Sequence, residues 1–153
     1  MAFFSGYPLL YAVIRVVASN LSKRPEVQNR LVFHLPRAYA LVATLYLAFQ
    51  IKTMFPDYSF AHTHLPYLKA WGIVAVLFWI PALAKKPVWS LLHSLVFFFF
   101  VVRDLFLQIF AAPGDTSMVK NDMKLFSVSL LFNLAAFVTI LFVSYLVRRF
   151  SKT

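Results

Sequence analysis

The chain alternates between long apolar runs and short polar stretches, a pattern typical of several membrane-spanning helices in series. At about 1.5 Å rise per residue, about 20 apolar residues cross a hydrocarbon core of roughly 30 Å. The apolar runs lie at 3–21, 31–51, 67–83, 88–110 and 125–147. The last four of these runs predict transmembrane helices, so we expect an all-α integral membrane bundle that forms a single domain over 1–153.

The first run, 3–21, has a shorter apolar core than the others and carries Arg15. No basic segment precedes it, so we expect it to be retained rather than cleaved as a signal peptide. Helical periodicity gives this run a polar face around Arg15 and an apolar stripe opposite. The stripe consists of Leu10, Val13, Ile14, Val17 and Leu21. The pattern favours an amphipathic helix at the membrane interface, with a fifth span as the alternative.

Polar stretches predict the connections between the spans. Residues 22–30 contain Pro25 and predict a loop, and Pro36 fits the first turn of the helix that follows. The stretch 52–66 is rich in aromatic residues and histidine. Residues 84–87 are so short that the runs on either side must form an antiparallel hairpin.

The distribution of lysine and arginine predicts the orientation. With four spans, one side of the membrane, here called the basic side, receives most of these residues. That side holds Lys23, Arg24, Arg30, Arg37, Lys85, Lys86, Arg148, Arg149 and Lys152, and the opposite side holds Lys52, Lys69, Lys120 and Lys124. We therefore expect a multi-pass protein whose C-terminus is cytoplasmic, or in the matrix if the membrane is mitochondrial. The pattern does not distinguish the mitochondrial inner membrane, the endoplasmic reticulum and the bacterial inner membrane.

Composition supports the membrane assignment, since 61% of residues are hydrophobic and only 13% are charged. The net charge of +10 would suggest nucleic acid in a soluble protein. Here the basic residues lie at the ends of apolar runs, which favours contact with anionic lipids and not nucleic-acid binding. The chain has no cysteine, so disulfides, thiolate metal sites and cysteine nucleophiles are excluded.

Arg103 and Asp104 lie inside the apolar run 88–110. Each charge costs about 2.5–3.5 kcal/mol at the centre of a spanning helix, so both side chains need partners or access to the interface. Neighbouring residues point in different directions on a helix and do not pair efficiently with each other. One interpretation is an ion or proton relay, or an anion site. The other, which we prefer, is a structural charge pair or an arginine that reaches the interface.

Four histidines offer two further hypotheses. His34 and His93 lie at similar depths near the basic side, and two facing imidazoles could ligate a haem b. Ordinary hydrogen bonding between helices is the competing interpretation of His93, which Ser90 and Ser94 flank. His62 and His64 could share a metal ion on an extended backbone, but a stable site needs further ligands.

The sequence contains no motif of a nucleophile with its base, no metalloprotease motif and no phosphate-binding glycine loop. The prolines lie near span ends, whereas transporters often have broken helices at mid-membrane. We therefore expect a non-catalytic accessory, scaffold or assembly subunit whose partners are other integral membrane subunits. A small transporter or ion or proton conductor that uses Arg103 and Asp104 is the first alternative. A haem-binding redox membrane anchor is the second.

Overall fold

A computed structural model describes residues 3–21, 25–54, 66–111 and 116–151. Within these ranges the regular elements are helices at Tyr7–Leu21 (α1), Pro25–Met54 (α2), Pro66–Val74 (α3), Pro81–Ala84 (α4), Pro87–Ala111 (α5) and Thr116–Phe150 (α6), with a 3₁₀ helix at Ala75–Trp79. Three segments are long and apolar enough to cross a membrane, namely Leu31–Thr53, Pro87–Phe110 and Lys120–Phe150. The expected all-helical architecture is confirmed for the described residues, and the three long apolar segments are consistent with the expected membrane protein.

The segment predicted as one helix over 67–83 is instead three short pieces: α3, the 3₁₀ helix and α4. The break falls at Ile80, whose backbone is extended with φ −66° and ψ 124°. Pro81 follows, and the proline ring disfavours helical geometry in the residue before it. The apolar part of this segment, Tyr67–Trp79, is shorter than the three candidate spans.

Two helices begin earlier than the polar pattern predicts. Residues 25–30, assigned to a loop, are the first part of α2, and Pro36 lies well inside that helix. Pro25 suits a first helical position because its missing N–H would have no partner inside the helix there. α6 begins at Thr116, ahead of the predicted start at residue 125. Polar residues alone therefore do not mark where these two helices begin.

The α2 helix is the centre of the bundle. Half of its most apolar window is buried, against 22% for the corresponding windows of α5 and α6. It packs against α1, α6, α3 and the 3₁₀ helix. The α5 and α6 helices lie further out and present exposed aromatic and aliphatic side chains, including Phe99, Phe106 and Phe142. In a membrane these faces are available to lipid or to another protein.

The chain enters the bundle through a short turn at residues 3–6, here called the N-terminal turn, which leads into α1. Phe4 is fully buried, and its ring lies 4.7 Å from Phe97 and 5.1 Å from Tyr46 between centroids. α1 buries Tyr7, Leu10, Tyr11 and Ala18. The apolar stripe expected on this helix is therefore only partly buried, since Val13 and Val17 are exposed. Tyrosine and alanine, which rank below leucine and valine in hydrophobicity, form much of the buried face of α1.

Candidate functional site

His93 on α5 occupies a buried position between α2 and α3. Its Nε2 lies 2.9 Å from the carbonyl oxygen of Trp71, and its Nδ1 lies 2.8 Å from the hydroxyl of Tyr39. A carbonyl oxygen only accepts, so His93 donates from Nε2, and in a neutral imidazole Nδ1 then accepts from Tyr39. Both ring nitrogens of His93 are therefore engaged within the protein.

Trp71 on α3 contacts both the imidazole and the backbone of His93. Its indole stacks on the His93 imidazole with centroids 4.6 Å apart and planes 5° apart, and its Nε1 donates to the His93 carbonyl over 3.3 Å. Phe78 and Phe97 approach the same imidazole edge-on or tilted, with centroids 5.9 and 6.0 Å away. We call Tyr39, Trp71, Phe78, His93 and Phe97 the His93 cluster. It joins α2, α3, the 3₁₀ helix and α5 in one contact.

A second buried hydroxyl lies beside the His93 cluster. The ring of Tyr7 packs against Tyr39, with centroids 4.4 Å apart. Ser90 donates to the Pro87 carbonyl over 2.8 Å, so its oxygen accepts from the Tyr7 hydroxyl, 2.7 Å away. Complete burial raises the pKa of Tyr7 well above its usual range, and the hydrogen bond to Ser90 offsets part of that shift. Tyr7 is therefore a neutral donor that ties α1 to α5.

Polar atoms of the N-terminal turn also form hydrogen bonds with α6. The Gly6 N–H donates to Ser129 Oγ over 2.9 Å, and Asn133 Nδ2 donates to the Phe3 carbonyl over 2.8 Å. Asn133 Nδ2 also donates to the Ser129 carbonyl. These bonds give Asn133 a specific role, which is to hold the N-terminal turn. Its Oδ1 is buried and has no partner among the described residues.

His34 lies in a different place from His93. Its Nδ1 is 3.5 Å from Ser144 Oγ on α6, which is long for a hydrogen bond. His34 contacts α6 near the end that carries Arg148, whereas His93 contacts α2 and α3. A haem ligated by both histidines would need to displace at least one hydrogen bond of His93. The two histidines therefore serve separate contacts in this arrangement.

Two surface grooves flank the contact between His34 and Ser144. One has a volume of about 670 Å³ and the other about 470 Å³. Both are lined by His34, Ser144 and Arg148. The first adds Arg149, and the second adds Arg37, whose guanidinium lies 4.7 Å from the ring centroid of Phe33. We call the two together the basic groove.

Arg103 and Asp104 lie on the outer part of α5. Arg103 is exposed and Asp104 is half-buried. Within the described part of the chain, the structure shows no ion pair for either residue. One helical turn further along α5, Gln108 donates to Asp122 on α6 over 2.6 Å. That bond connects α5 to α6 and involves neither Arg103 nor Asp104.

The remaining predicted ligands, His62 and His64, lie outside the described residues. Among the residues that the structure describes, no group of three or more His, Asp or Glu side chains is arranged to hold a metal ion.

Sequence reasoning did not single out Tyr39, Trp71 or Tyr7 as partners. Each is an aromatic residue in an apolar run, where packing or an interface position is the ordinary interpretation. The usable signal is that a tyrosine hydroxyl inside a spanning helix needs a partner, as His93 does. Arg37 and Arg148 were recognised as basic-side residues, but the basic groove between them depends on how α2 packs against α6.

Comparison with known proteins adds no family. No family model matches the chain. No curated protein and no solved structure matches it.

Proposed function

We propose that the protein is a non-catalytic accessory or assembly subunit of a larger membrane complex, and that it joins this complex through the exposed face of α5. The observation that carries the proposal is the exposed position of Arg103 in the candidate span Pro87–Phe110, without an ion pair inside the described chain. A charge on a lipid-facing surface is costly, and such residues usually face a partner or an aqueous cavity. An acidic or hydrogen-bonding side chain on a neighbouring subunit would satisfy it.

Arg103 lies near one end of its candidate span. It lies seven residues before Phe110, or about 10 Å from that end of the span, so its side chain can reach towards the interface. Reaching the interface removes part of the cost, but it leaves Asp104 half-buried one residue further on. A partner that meets both residues satisfies the two charges at once.

The internal polar groups support a structural role. The hydrogen bonds of His93, Tyr39 and Tyr7 are made to other parts of the same chain. A catalytic or transport site needs polar groups that can turn towards a substrate or an ion. The aromatic side chains packed around His93 instead favour a rigid contact between helices.

The proposal includes the topology expected from the sequence. The broken segment Pro66–Ala84 acts as the fourth crossing, so that α2, this segment, α5 and α6 alternate in direction. α1 then lies half-inserted, with its C-terminal end towards the basic side. The C-terminus of the chain and the pair Lys85 and Lys86 face the cytoplasm or the matrix, following the asymmetry of basic residues.

Co-purification tests the proposed function. The C-terminally tagged full-length protein is extracted from its native membrane in mild detergent, alongside Arg103→Leu and a control, Lys124→Leu, which removes another exposed cation on a different helix. We expect a partner at fixed stoichiometry with the wild type and the control. Arg103→Leu should weaken that association by about 2 kcal/mol or more, because a charge on the partner loses its counterpart.

Two outcomes contradict the proposal. One is a wild-type protein that purifies alone and monodisperse. The other is a partner that is retained equally by all three proteins. A lone protein that supports a specific ion flux, abolished by Asp104→Asn, would move the assignment to the conductor. An absorption band of bound haem would move it to the redox anchor.

A further inference from the structure

The basic groove lies at one end of two candidate spans. Leu31 begins the span in α2, and Arg148 and Arg149 lie in the last turn of α6, whose span ends at Phe150. The residues lining the groove come from these two helix ends and from Trp79. The groove is therefore at the level where hydrocarbon gives way to lipid headgroups.

Among the described residues, the charged side chains that line the groove are all basic. Arg37, Arg148 and Arg149 line the groove, and none of its described lining residues is acidic. The Arg37 guanidinium lies over the Phe33 ring, while Arg148 is exposed on α6. A planar guanidinium presents several N–H donors in a geometry that suits a phosphate group.

Its walls are apolar below the arginines. Along α6, Leu141 lies seven residues before Arg148, which is about 10 Å deeper in the membrane. In the groove that Arg37 and Arg148 line together, Val143 and Ile140 extend the same kind of surface along α6. Along α6 the order from the interface inwards is thus guanidinium, then hydroxyl, then aliphatic side chains. On α2, Arg37 lies deeper than Leu31 and His34, but its guanidinium turns back over the Phe33 ring towards the interface. A phospholipid has the matching order of phosphate, glycerol ester and acyl chain.

We propose that the basic groove binds a phospholipid with a net negative headgroup, whose phosphate is held between Arg37 and Arg148 and whose acyl chains lie on the aliphatic walls. Charge complementarity selects an anionic lipid over a zwitterionic one. The apolar walls select a lipid over a free anion, because inorganic phosphate gains nothing from them. The groove lies on α2 and α6, so this inference stands apart from the α5 face and does not rest on the proposed function.

Native mass spectrometry of the delipidated full-length protein tests the inference. The protein is titrated with phosphatidylglycerol, with phosphatidylcholine of the same acyl chains, and with inorganic phosphate. We expect one phosphatidylglycerol to bind preferentially. Arg37→Gln and Arg148→Gln should each weaken that binding about fivefold, the effect expected for one basic residue near anionic lipid.

The matched control is Lys85→Gln, which removes an exposed cation of the basic side that does not line the groove. Its affinity for phosphatidylglycerol should equal that of the wild type. A second variant, Arg148→Lys, keeps the charge and should restore part of the binding lost in Arg148→Gln. The lipid comparison on the wild type needs no substitution, so it holds even if a variant folds poorly.

The inference is overturned by any of three results. If the inference is correct, phosphatidylglycerol binds more tightly than phosphatidylcholine, so equal affinities contradict it. An equal response to inorganic phosphate would indicate a general anion site. An equal loss in Lys85→Gln and Arg148→Gln would indicate a diffuse attraction of the whole basic side.

Discussion

Trp71 and His93 exchange hydrogen bonds and stack on each other. The His93 side chain donates to the Trp71 carbonyl over 2.9 Å, the Trp71 side chain donates to the His93 carbonyl over 3.3 Å, and the two rings are almost parallel. A carbonyl in a helix already accepts from the backbone, and here each also accepts from a side chain. This double contact ties the short helix α3 to α5, although α3 is too short to be held by its own backbone bonds.

Replacing His93 should destabilise the bundle. His93→Phe keeps a ring for stacking on Trp71 but removes the donor to the Trp71 carbonyl and leaves the Tyr39 hydroxyl without an acceptor. We expect a loss of about 1–3 kcal/mol in the free energy of unfolding, because a buried polar group is left unsatisfied. Denaturant titration in detergent, followed by tryptophan fluorescence, measures it.

A double variant separates the two parts of that loss. Tyr39→Phe together with His93→Phe removes the orphaned hydroxyl and should recover part of the stability lost in His93→Phe alone. Tyr67→Phe, at an exposed tyrosine, should have little effect. Strictly additive losses in the double variant would show that the hydrogen bond between Tyr39 and His93 contributes nothing.

Gly6 should tolerate no side chain. A Cβ at this position would lie against the backbone nitrogen of Leu130 and 2.6 Å from its Cα, so the α6 backbone itself would have to move. Gly6→Ala should therefore lower stability by about 1–3 kcal/mol, the usual range for overpacking. The measurement is the unfolding midpoint in detergent.

Gly72→Ala is the matched control. A Cβ at Gly72 would meet the ring atoms of Tyr46 at 2.7 Å and Phe4 at 2.9 Å, so two buried rings would have to shift but no helix backbone would. The loss should be smaller than in Gly6→Ala. A larger effect at Gly72 would contradict the close backbone approach of the N-terminal turn to α6.

Asn133 should hold the N-terminal turn in place. Asn133→Leu removes the donor to the Phe3 carbonyl and should loosen residues 3–6 from α6. The chain has no cysteine, so a single Ser5→Cys, at a position only 1% exposed, reports on this movement without background. A membrane-permeant thiol reagent should label Cys at this site slowly in the parent and faster when Asn133→Leu is added.

The control for that labelling is Asn20→Cys near the exposed end of α1, which should react at the same rate with and without Asn133→Leu. Equal labelling of the Ser5→Cys proteins in both backgrounds would show that other contacts of the N-terminal turn, including the Phe4 ring stack, are sufficient.

The long helices could be predicted from the sequence because a run of apolar residues of bilayer length has few other stable solutions. α5 follows its apolar run almost to the residue. The segment around Ile80 could not be predicted as three pieces, since Pro81 is compatible with the end of a helix as well as with a break. For the same reason Pro25 was assigned to a loop although it begins α2.

The partners of His93 illustrate a second limit. The flanking serines suggested a hydrogen-bonding role for His93, and the structure supplies the partners from α2 and α3. Tyr39 and Trp71 are separated from His93 by 54 and 22 residues, and only the packing of three elements brings them together. Local sequence patterns do not predict contacts between residues so far apart in the chain.

Photo-crosslinking inside the native membrane tests the proposed subunit role most directly. A photoreactive amino acid replaces Phe106, an exposed residue of α5 one turn from Arg103, and in a parallel protein Phe142, an exposed residue of α6. We predict a discrete crosslinked protein from position 106, lost in Arg103→Leu, and mainly lipid adducts from position 142. Lipid adducts alone at position 106 would contradict a partner on α5.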